Sequence, residues 1–277
     1  MALSSTEEDA QVYRNARLFI ALRKCLEELG DFYRTLPRRY IPPSAVNQFH
    51  FPYPNSFTRE DSRVTHFQYI STLEDNTTYL AEIIGKPEPK KVVVKFVARY
   101  GKAVHELLAQ HGYAPKLLYC GPVPGDPLSA ARQAPFGLFS RPDAMHMVVM
   151  EYFDARSDKP QDRDQIEEVL WLLHTHGYVF GDLREPNVLY DQHGDVKFIN
   201  FNWCGRYDTN VRDEQLPPGL QEKIDNIEHK STNDIYVCYP LSLSTVPDMW
   251  APGIEPLVPI RPQHDWKMLD KLCPSSH

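Results

Sequence analysis

The sequence predicts an α+β fold, because several strand patterns follow one another in one part of the chain and the longer helical patterns lie before and after that part. Runs rich in Val, Ile, Phe and Tyr follow one another between residues 67 and 97, and Lys91 to Val97 is the strongest strand pattern in the chain. Apolar residues at helical spacing mark residues 6–36, 103–111 and 164–175 as helices. We therefore expect a strand-rich part that follows one long helix and precedes a more helical part.

The first 55 residues are expected to form a segment of their own. Residues 6–36 place apolar side chains close to a 3.6-residue period, and Pro37 ends the helix. Its apolar face is expected to pack on the main body, with binding to a partner as the alternative. Four prolines between residues 41 and 55 make that stretch an extended connector.

The remaining elements follow in chain order. Residues 122–143 are rich in Pro, Gly, Ser and Ala and are expected to form a surface loop. The tail after Gly205 is polar and dotted with prolines, and it closes with a short helix at residues 265–272. The other predicted strands lie at residues 67–70, 77–84, 116–119, 147–152, 188–190 and 196–199.

Composition and charge narrow the functional classes. A chain of 277 residues, 42% of them hydrophobic, has room for one large core or two small lobes. Its net charge of -7 disfavours a nucleic-acid partner, and no apolar run approaches the ~20 residues that a membrane helix needs. Five scattered cysteines and a polar, acidic first stretch indicate a cytoplasmic or nuclear protein that is not secreted.

One loop carries the strongest chemical pattern. Asp182 and Asn187 lie five residues apart, before a short apolar strand, so both side chains can face one cleft. The carboxylate of Asp182 can accept the proton of an attacking hydroxyl, and the amide oxygen of Asn187 can bind a metal. Arg184, between them, can neutralise charge that develops on a phosphate. A loop of ordinary polar turn residues is the alternative.

Two further segments can contribute to the same cleft. Lys95 interrupts a valine-rich strand, where an ammonium is costly to bury unless it is paired; it can also point outward from an edge strand. The strand at residues 196–199 leads into Asn200 and Asn202, which flank Phe201. Two polar residues separated by an aromatic one form a pattern that holds a metal while the ring packs inward.

In their order and spacing, these segments resemble the motifs of protein kinases. Val92 to Lys95 resembles the strand with the phosphate-binding lysine, and Met150 to Tyr152 resembles the hinge that meets adenine. Gly181 to Asn187 resembles the catalytic loop, and Ile199 to Asn202 stands where the metal-binding motif is expected. A closer resemblance, to the kinase-like proteins of mushroom-forming (basidiomycete) fungi, rests on residues 96–100, 114–117 and 264–265.

The resemblance implies a two-lobed, protein-kinase-like fold. A small antiparallel β N-lobe is expected at residues 56–155 and a shortened, mainly helical C-lobe at residues 156–277. ATP and Mg²⁺ are implied as ligands, with transfer of the γ-phosphoryl group to a hydroxyl, first of all that of a protein serine or threonine. The implied site residues are Asp182 and Arg184 for catalysis, Lys95, Glu106, Glu151, Tyr152 and Asn187 for the nucleotide, and Asn187, Asn200 and Asn202 for the metal.

Three departures from the kinase pattern bear on activity. No glycine-rich loop precedes Lys95, and the equivalent turn at residues 73–77 carries two acids that repel phosphate. The glutamate expected to pair with Lys95 is missing near Ala103, and Glu106, one turn later, is the candidate replacement. Asn200 stands where an aspartate is expected, and a neutral amide holds Mg²⁺ less strongly than a carboxylate.

Three functions therefore remain open. The chain is an ATP-dependent kinase, a pseudokinase that acts as a binding or scaffold module, or a kinase for a small molecule. Retention of Asp182 favours the enzyme, whereas Asn200 favours the pseudokinase. The Gly-Asp-Leu sequence at residues 181–183 is similar to that of small-molecule kinases, and the 72 residues after Gly205 (277 minus 205) are few for a platform that binds a protein.

Overall fold

The computed structural model divides into two compact units, Met1–Phe51 and Pro52–His277. In its described part, the first unit is one long helix, α1 (Ser5–Thr35), as the apolar spacing predicts. Packing of this helix on the main body stays a prediction, and most of the connector lies outside the described residues. The structure describes residues 5–35, 51–59, 61–73, 77–85, 88–124, 145–156, 162–213, 215–227, 236–244 and 249–274.

The described residues of the second unit contain a six-stranded antiparallel sheet. Its strands are β1 (Ser56–Thr58), β2 (Val64–Thr72), β3 (Thr78–Ile83), β4 (Lys90–Val97), β5 (Leu117–Pro122) and β6 (His146–Glu151). The strand order is β1-β2-β3-β4-β6-β5, so β4 lies in the interior of the sheet. Mixed helix and sheet, with the strands clustered, is the α+β class that the sequence predicts.

The two faces of the sheet belong to different cores, since side chains alternate along each strand. On β4, Val92 and Val94 point into a core that includes Phe57. Val97 points into a larger core that continues through the C-terminal part, and Lys95 lies on the same face as Val97. Because β4 pairs with both β3 and β6, Lys95 is not on an edge strand. The structure thereby excludes the edge-strand interpretation of this lysine.

Helices of the second unit pack on the larger core. They are α2 (Lys102–Gln110), α3 (Arg163–Thr175), α4 (Leu220–Asp225) and α5 (Pro262–Leu272). The carboxylate of Asp162 accepts a hydrogen bond from the N–H of Gln165 and caps α3, while Pro262 begins α5, where a missing N–H is harmless. Short strands complete the unit: β7 (Tyr178–Val179), β8 (Val188–Tyr190), β9 (Val196–Phe198) and β10 (Gly205–Arg206).

The described C-terminal part is less helical than the kinase resemblance implies. Beyond residue 156, three described helices alternate with turns and short strands. Strand β1 and helix α4 were not predicted, because three and six residues are too short to show a period. Most of the loop predicted at residues 122–143 lies outside the described residues. Among the described helices, none is both long and apolar enough to cross a membrane.

Candidate functional site

The loop after β7 is folded so that residues distant in sequence become neighbours. Gly181 has a φ of 80°, a left-handed conformation that glycine adopts without strain. A 3₁₀ turn at Glu185–Asn187 then leads into the β8–β9 hairpin. After this hairpin, the N–H of Ile199 donates to the carbonyl of Asn187 at 3.0 Å. The chain path thereby places Asn200 next to Asn187.

Lys95 and Asn200 connect the sheet to this loop. The Nζ of Lys95 donates to the Oδ1 of Asn200 at 2.7 Å. The Nδ2 of Asn200 lies 3.1 Å from the Oδ1 of Asn187 and 3.4 Å from the Oδ2 of Asp182. Asn200 has a φ of 66°, which asparagine tolerates better than most residues. Four residues that the sequence picked out on separate segments thus meet in one cluster: Lys95, Asp182, Asn187 and Asn200.

Asp182 combines burial with an ion pair. Its exposed fraction is 3%, and its Oδ1 accepts a hydrogen bond from the Nε of Arg184 at 2.7 Å. Burial raises the pKa of the Asp182 carboxyl above its ordinary value, while the charges of Arg184 and Lys95 oppose that rise. The Nδ2 of Asn187 donates to the backbone carbonyl of Asp182 at 2.8 Å and fixes the loop. A desolvated carboxylate with a raised pKa suits the acceptance of a proton.

Phe201 packs inward between Asn200 and Asn202, as the alternating pattern predicts. Its ring is fully buried and stacks on His105 of α2, with centroids 4.3 Å apart and an 8° interplanar angle. The carbonyl of Phe201 accepts a hydrogen bond from the N–H of Gly101 at 2.8 Å. The segment after β9 is therefore attached to the start of α2 through both its ring and its backbone.

Asp265 of α5 supports the loop from behind, a role that sequence reasoning missed. Its carboxylate accepts hydrogen bonds from the N–H groups of Phe180 and Gly181, at 2.9 and 2.8 Å. The Nε2 of His174 lies 3.1 Å from the same carboxylate, and the indole N–H of Trp266 donates to the Nδ1 of His174. Since an indole only donates, the proton of His174 is on Nε2 and points to Asp265. The sequence singled out Asp265 only as part of a resemblance, and nothing in this polar helix predicted that its carboxylate is buried.

Glu106 pairs with a lysine of its own helix. This residue pairs with Lys102 at 3.5 Å and lines a cavity of about 520 Å³ beside Cys120 of β5. Strand β6 separates β5 from the strand of Lys95. The physical reason is helical phase: His105 occupies the inward face of α2, so the next residue along the helix points elsewhere. Lys95 itself donates a hydrogen bond to Asn200.

The predicted hinge, Met150 to Tyr152, consists of the last two residues of β6 and the residue after it. The backbone N–H groups of Glu151 and Tyr152 already donate to carbonyls, at 2.9 and 3.3 Å, and the Glu151 side chain pairs with Lys90. In the described part of the chain, the N–H of Phe153 has no hydrogen-bond partner. The backbone from Glu151 to Phe153 can therefore offer a planar ligand carbonyl oxygens and the N–H donor of Phe153. Residues 74–76, in the turn predicted to cover the phosphates, lie outside the described residues.

The oxygens around Asn200 do not make a magnesium site of their own. The Oδ1 atoms of Asn187 and Asn200 already accept hydrogen bonds, and Asp182 is neutralised by Arg184. The Oδ1 of Asn202 is buried with no hydrogen-bond partner among the described residues. Within the same ranges, no three His, Cys, Asp or Glu side chains are grouped to hold a metal. Because Mg²⁺ is a hard cation that prefers charged oxygens, this donor set does not fit a resident ion.

Comparisons with known proteins add little to this geometry. No protein-family model matches the chain, and no curated protein matches it. Among solved structures, the chain is similar to the Cydia pomonella granulovirus kinase PK-1, with 13% identity and a TM-score of 0.35. The likeness covers 51% of this chain and 55% of that one, so the chain spans about half the length of the viral kinase.

Proposed function

We propose that this chain is a kinase-like domain that binds ATP beside Lys95 and transfers its γ-phosphoryl group to a hydroxyl. The observation that carries the proposal is the hydrogen-bonded cluster in which Lys95, from the sheet, meets Asn200, Asn187 and Asp182. A cation suited to phosphate and a desolvated carboxylate suited to a proton stand on opposite sides of one polar cluster. That combination serves phosphoryl transfer, which depends on positioning and charge more than on covalent chemistry.

The adenine ring is proposed to lie against the backbone after β6. The carbonyl of Glu151 can accept a hydrogen bond from the exocyclic amine, and the N–H of Phe153 can donate to a ring nitrogen. From there the phosphates extend toward the ammonium of Lys95, which donates to Asn200 and has further N–H donors for phosphate oxygens.

In the proposed reaction, the acceptor oxygen attacks the γ-phosphorus. The bond from that phosphorus to the β–γ bridging oxygen breaks, and ADP leaves. Asp182 takes the proton of the hydroxyl, and Lys95 and Arg184 offset charge on the phosphate oxygens. Since the protein's own oxygens do not fit a resident metal, Mg²⁺ is proposed to arrive with ATP, and no step above depends on a metal ligand of the chain.

A second function, that of a pseudokinase, is favoured by Asn200. Its amide adds no charge, and its Oδ1 is bonded to Lys95, so phosphates gain less stabilisation here than from a metal held by a carboxylate. A module that binds nucleotide, or acts as a scaffold, without efficient transfer fits this observation. Asp182 and Asn200 thus favour opposite functions, and substituting each of them separates the two.

The test measures the melting temperature with ATP, in Mg²⁺, Mn²⁺ or a chelator, together with ADP release. ATP at a hundredfold excess over its Kd is expected to stabilise the parent by about 2.7 kcal/mol. Lys95→Met is expected to lose the shift. Asp182→Asn should keep the shift and lose turnover, by roughly a hundredfold or more. Asn200→Asp should make both the shift and the turnover more dependent on metal.

Lys102→Met is the matched control, because it removes a lysine from α2 that pairs with Glu106 away from the cluster. It should leave the ATP shift unchanged. A parent that shows no shift with ATP under any metal condition contradicts nucleotide binding and both functions that need it. A shift without turnover, unaltered by Asp182→Asn, leaves the pseudokinase as the function.

A further inference from the structure

We propose that Trp203 and Trp250 form a platform for the ring face of a small, uncharged hydroxyl acceptor. The inference rests on the proposed function, because it names the acceptor of the same reaction. This acceptor differs from the serine or threonine of a protein, which is the acceptor that the kinase resemblance implies. Two observations support the inference: the position of the two indoles relative to Asp182, and the ion pair of Asp182 and Arg184 beside them.

A short series of contacts places the platform beside the candidate base. The Nε of Arg184 donates to Asp182 at 2.7 Å, and the guanidinium carbon of Arg184 lies 5.6 Å from the centre of the Trp250 ring. That ring is tilted by 43° against Trp203, with centroids 5.3 Å apart. Both indoles are only partly buried, so neither is sealed in the core. A molecule stacked on their exposed parts would lie next to the ion pair of Arg184 and Asp182.

The C-terminal tail fixes the platform in place. Tyr239 meets Trp203 edge-on at 90°, with centroids 5.9 Å apart, and the indole N–H of Trp250 donates to the carbonyl of Ser244 at 2.9 Å. Ile260 packs directly on the loop: a Cβ added to Gly181 would lie 2.9 Å from its Cδ1. A surface whose side chains are already held loses little conformational entropy when a ligand binds.

Charge and shape select the chemical class of the acceptor. Arg184 and Asp182 form an ion pair, so together these two side chains add no net charge beside the platform, which favours an uncharged ligand. The face of an indole is electronegative and complements the weakly positive C–H bonds on the face of a saturated ring. An extended peptide presents no such face. These properties fit a ring alcohol, such as a cyclitol or a sugar, better than a polypeptide.

The experiment compares ring and chain alcohols of matched composition. ADP release from ATP is measured with myo-inositol or methyl β-D-glucopyranoside, with the open-chain polyol sorbitol, and with a serine-containing peptide. Indole fluorescence is titrated with the same probes in the absence of ATP. We expect both ring alcohols to stimulate ADP release and to change the fluorescence, and sorbitol and the peptide to do neither.

Variants assign the effect to the platform. Trp203→Ala and Trp250→Ala are expected to raise the acceptor KM roughly threefold to tenfold, as one lost aromatic contact predicts. Trp250→Phe keeps an aromatic face and should restore most of the affinity. Trp171→Phe is the matched control, since Trp171 also lies under a cation, Lys223, but on α3.

The outcomes separate this inference from the proposed function. Stimulation by sorbitol or by the peptide equal to that by the ring alcohols overturns it, as does an unchanged KM in both alanine variants. A response to neither ring alcohol, in fluorescence or in ADP release, overturns it as well. The ATP melting shift, which should be the same in the parent and in all Trp variants, tests nucleotide binding separately.

Discussion

His105 is held through both ring nitrogens and through its face. The hydroxyl of Tyr100 lies 2.8 Å from Nδ1, and the carbonyl of Pro115 lies 2.7 Å from Nε2. Because a carbonyl only accepts, Nε2 carries the proton and Nδ1 accepts from Tyr100. Burial lowers the pKa of His105 to about 4. A second proton would place an uncompensated charge against Phe201 and remove the bond from Tyr100.

This arrangement predicts a loss of stability in acid. An unfolded histidine takes up a proton below about pH 6.5, whereas native His105 does not until about pH 4. Its contribution is therefore complete above about pH 6.5 and falls as the pH drops toward 4, by roughly 2 kcal/mol at pH 5. Urea unfolding of the parent and of His105→Asn, at pH 7.5 and pH 5, measures the difference. An equal pH dependence in both proteins contradicts the assignment.

The sequence alone located the site residues that stand out from the pattern around them. Lys95 is a charged residue in an apolar strand, and Asp182 and Asn187 are two polar residues with a spacing typical of a catalytic loop. Both features can be recognised without knowing which residues contact them in the fold. The partner of Lys95 could not be recognised in this way, because it depends on the phase of α2 and on the path of the hairpin before Asn200. Asp265 was missed for the same reason, since only tertiary structure shows that its carboxylate receives two backbone N–H groups.

At the scale of elements, the start of α2 and the segment after β9 are in close contact. A Cβ at Gly101 would lie 2.7 Å from the Cβ and from the carbonyl oxygen of Cys204. Arg99, just before it, donates to the carbonyls of Asn202 and Cys238, both at 2.9 Å. The turn between β4 and α2 therefore joins the sheet to two C-terminal segments at once.

Gly101→Ala is expected to force this junction apart and to destabilise the protein by about 1–3 kcal/mol, the range for overpacking. The ATP melting shift should fall with it, because the same segment carries Asn200. Denaturant unfolding measures the change. Gly112→Ala is the control: nothing lies within 4 Å of its added Cβ, and only its φ of 82° is strained, at about 1–2 kcal/mol. An ATP shift that falls equally in both variants contradicts the special role of the junction.

At the scale of the second unit, one core runs from the sheet through the loop to α5. Val97 and Val104 belong to it together with Phe180, Phe201 and Leu269. The candidate site lies on top of this shared core, so the strand of Lys95 and the loop of Asp182 are supported by the same packing. A displacement of the strand that carries Lys95 is therefore expected to displace the loop that carries Asp182 as well.

Hydrogen exchange tests this coupling. ATP is expected to slow amide exchange in β4, in the segment after β6 and in residues 181–187 together, because Lys95 and the loop line the proposed ATP site. Lys95→Met should abolish the protection in all three segments. Protection confined to the sheet, with the loop unchanged, contradicts a cleft that both parts line.

The sequence predicted the order of the longer elements of this unit, since 3.6-residue and two-residue periods are local properties. It did not predict how the proline-dotted tail folds. That tail is held by a few long-range bonds, such as those from Tyr239 to Val258 and from Ile260 to Val237, at 3.0 and 2.9 Å. Contacts of this kind produce no periodic pattern in a sequence. The position of the tail could therefore not be predicted from the sequence.

Asn200 also has a genetic consequence. The two asparagine codons differ from the two aspartate codons only in their first base, so a single transition at this position creates a carboxylate beside Lys95. The backbone there is already in a left-handed conformation that aspartate also tolerates. A lineage carrying this chain can therefore pass between an uncharged and a charged cleft in one mutational step, without rebuilding the loop around it.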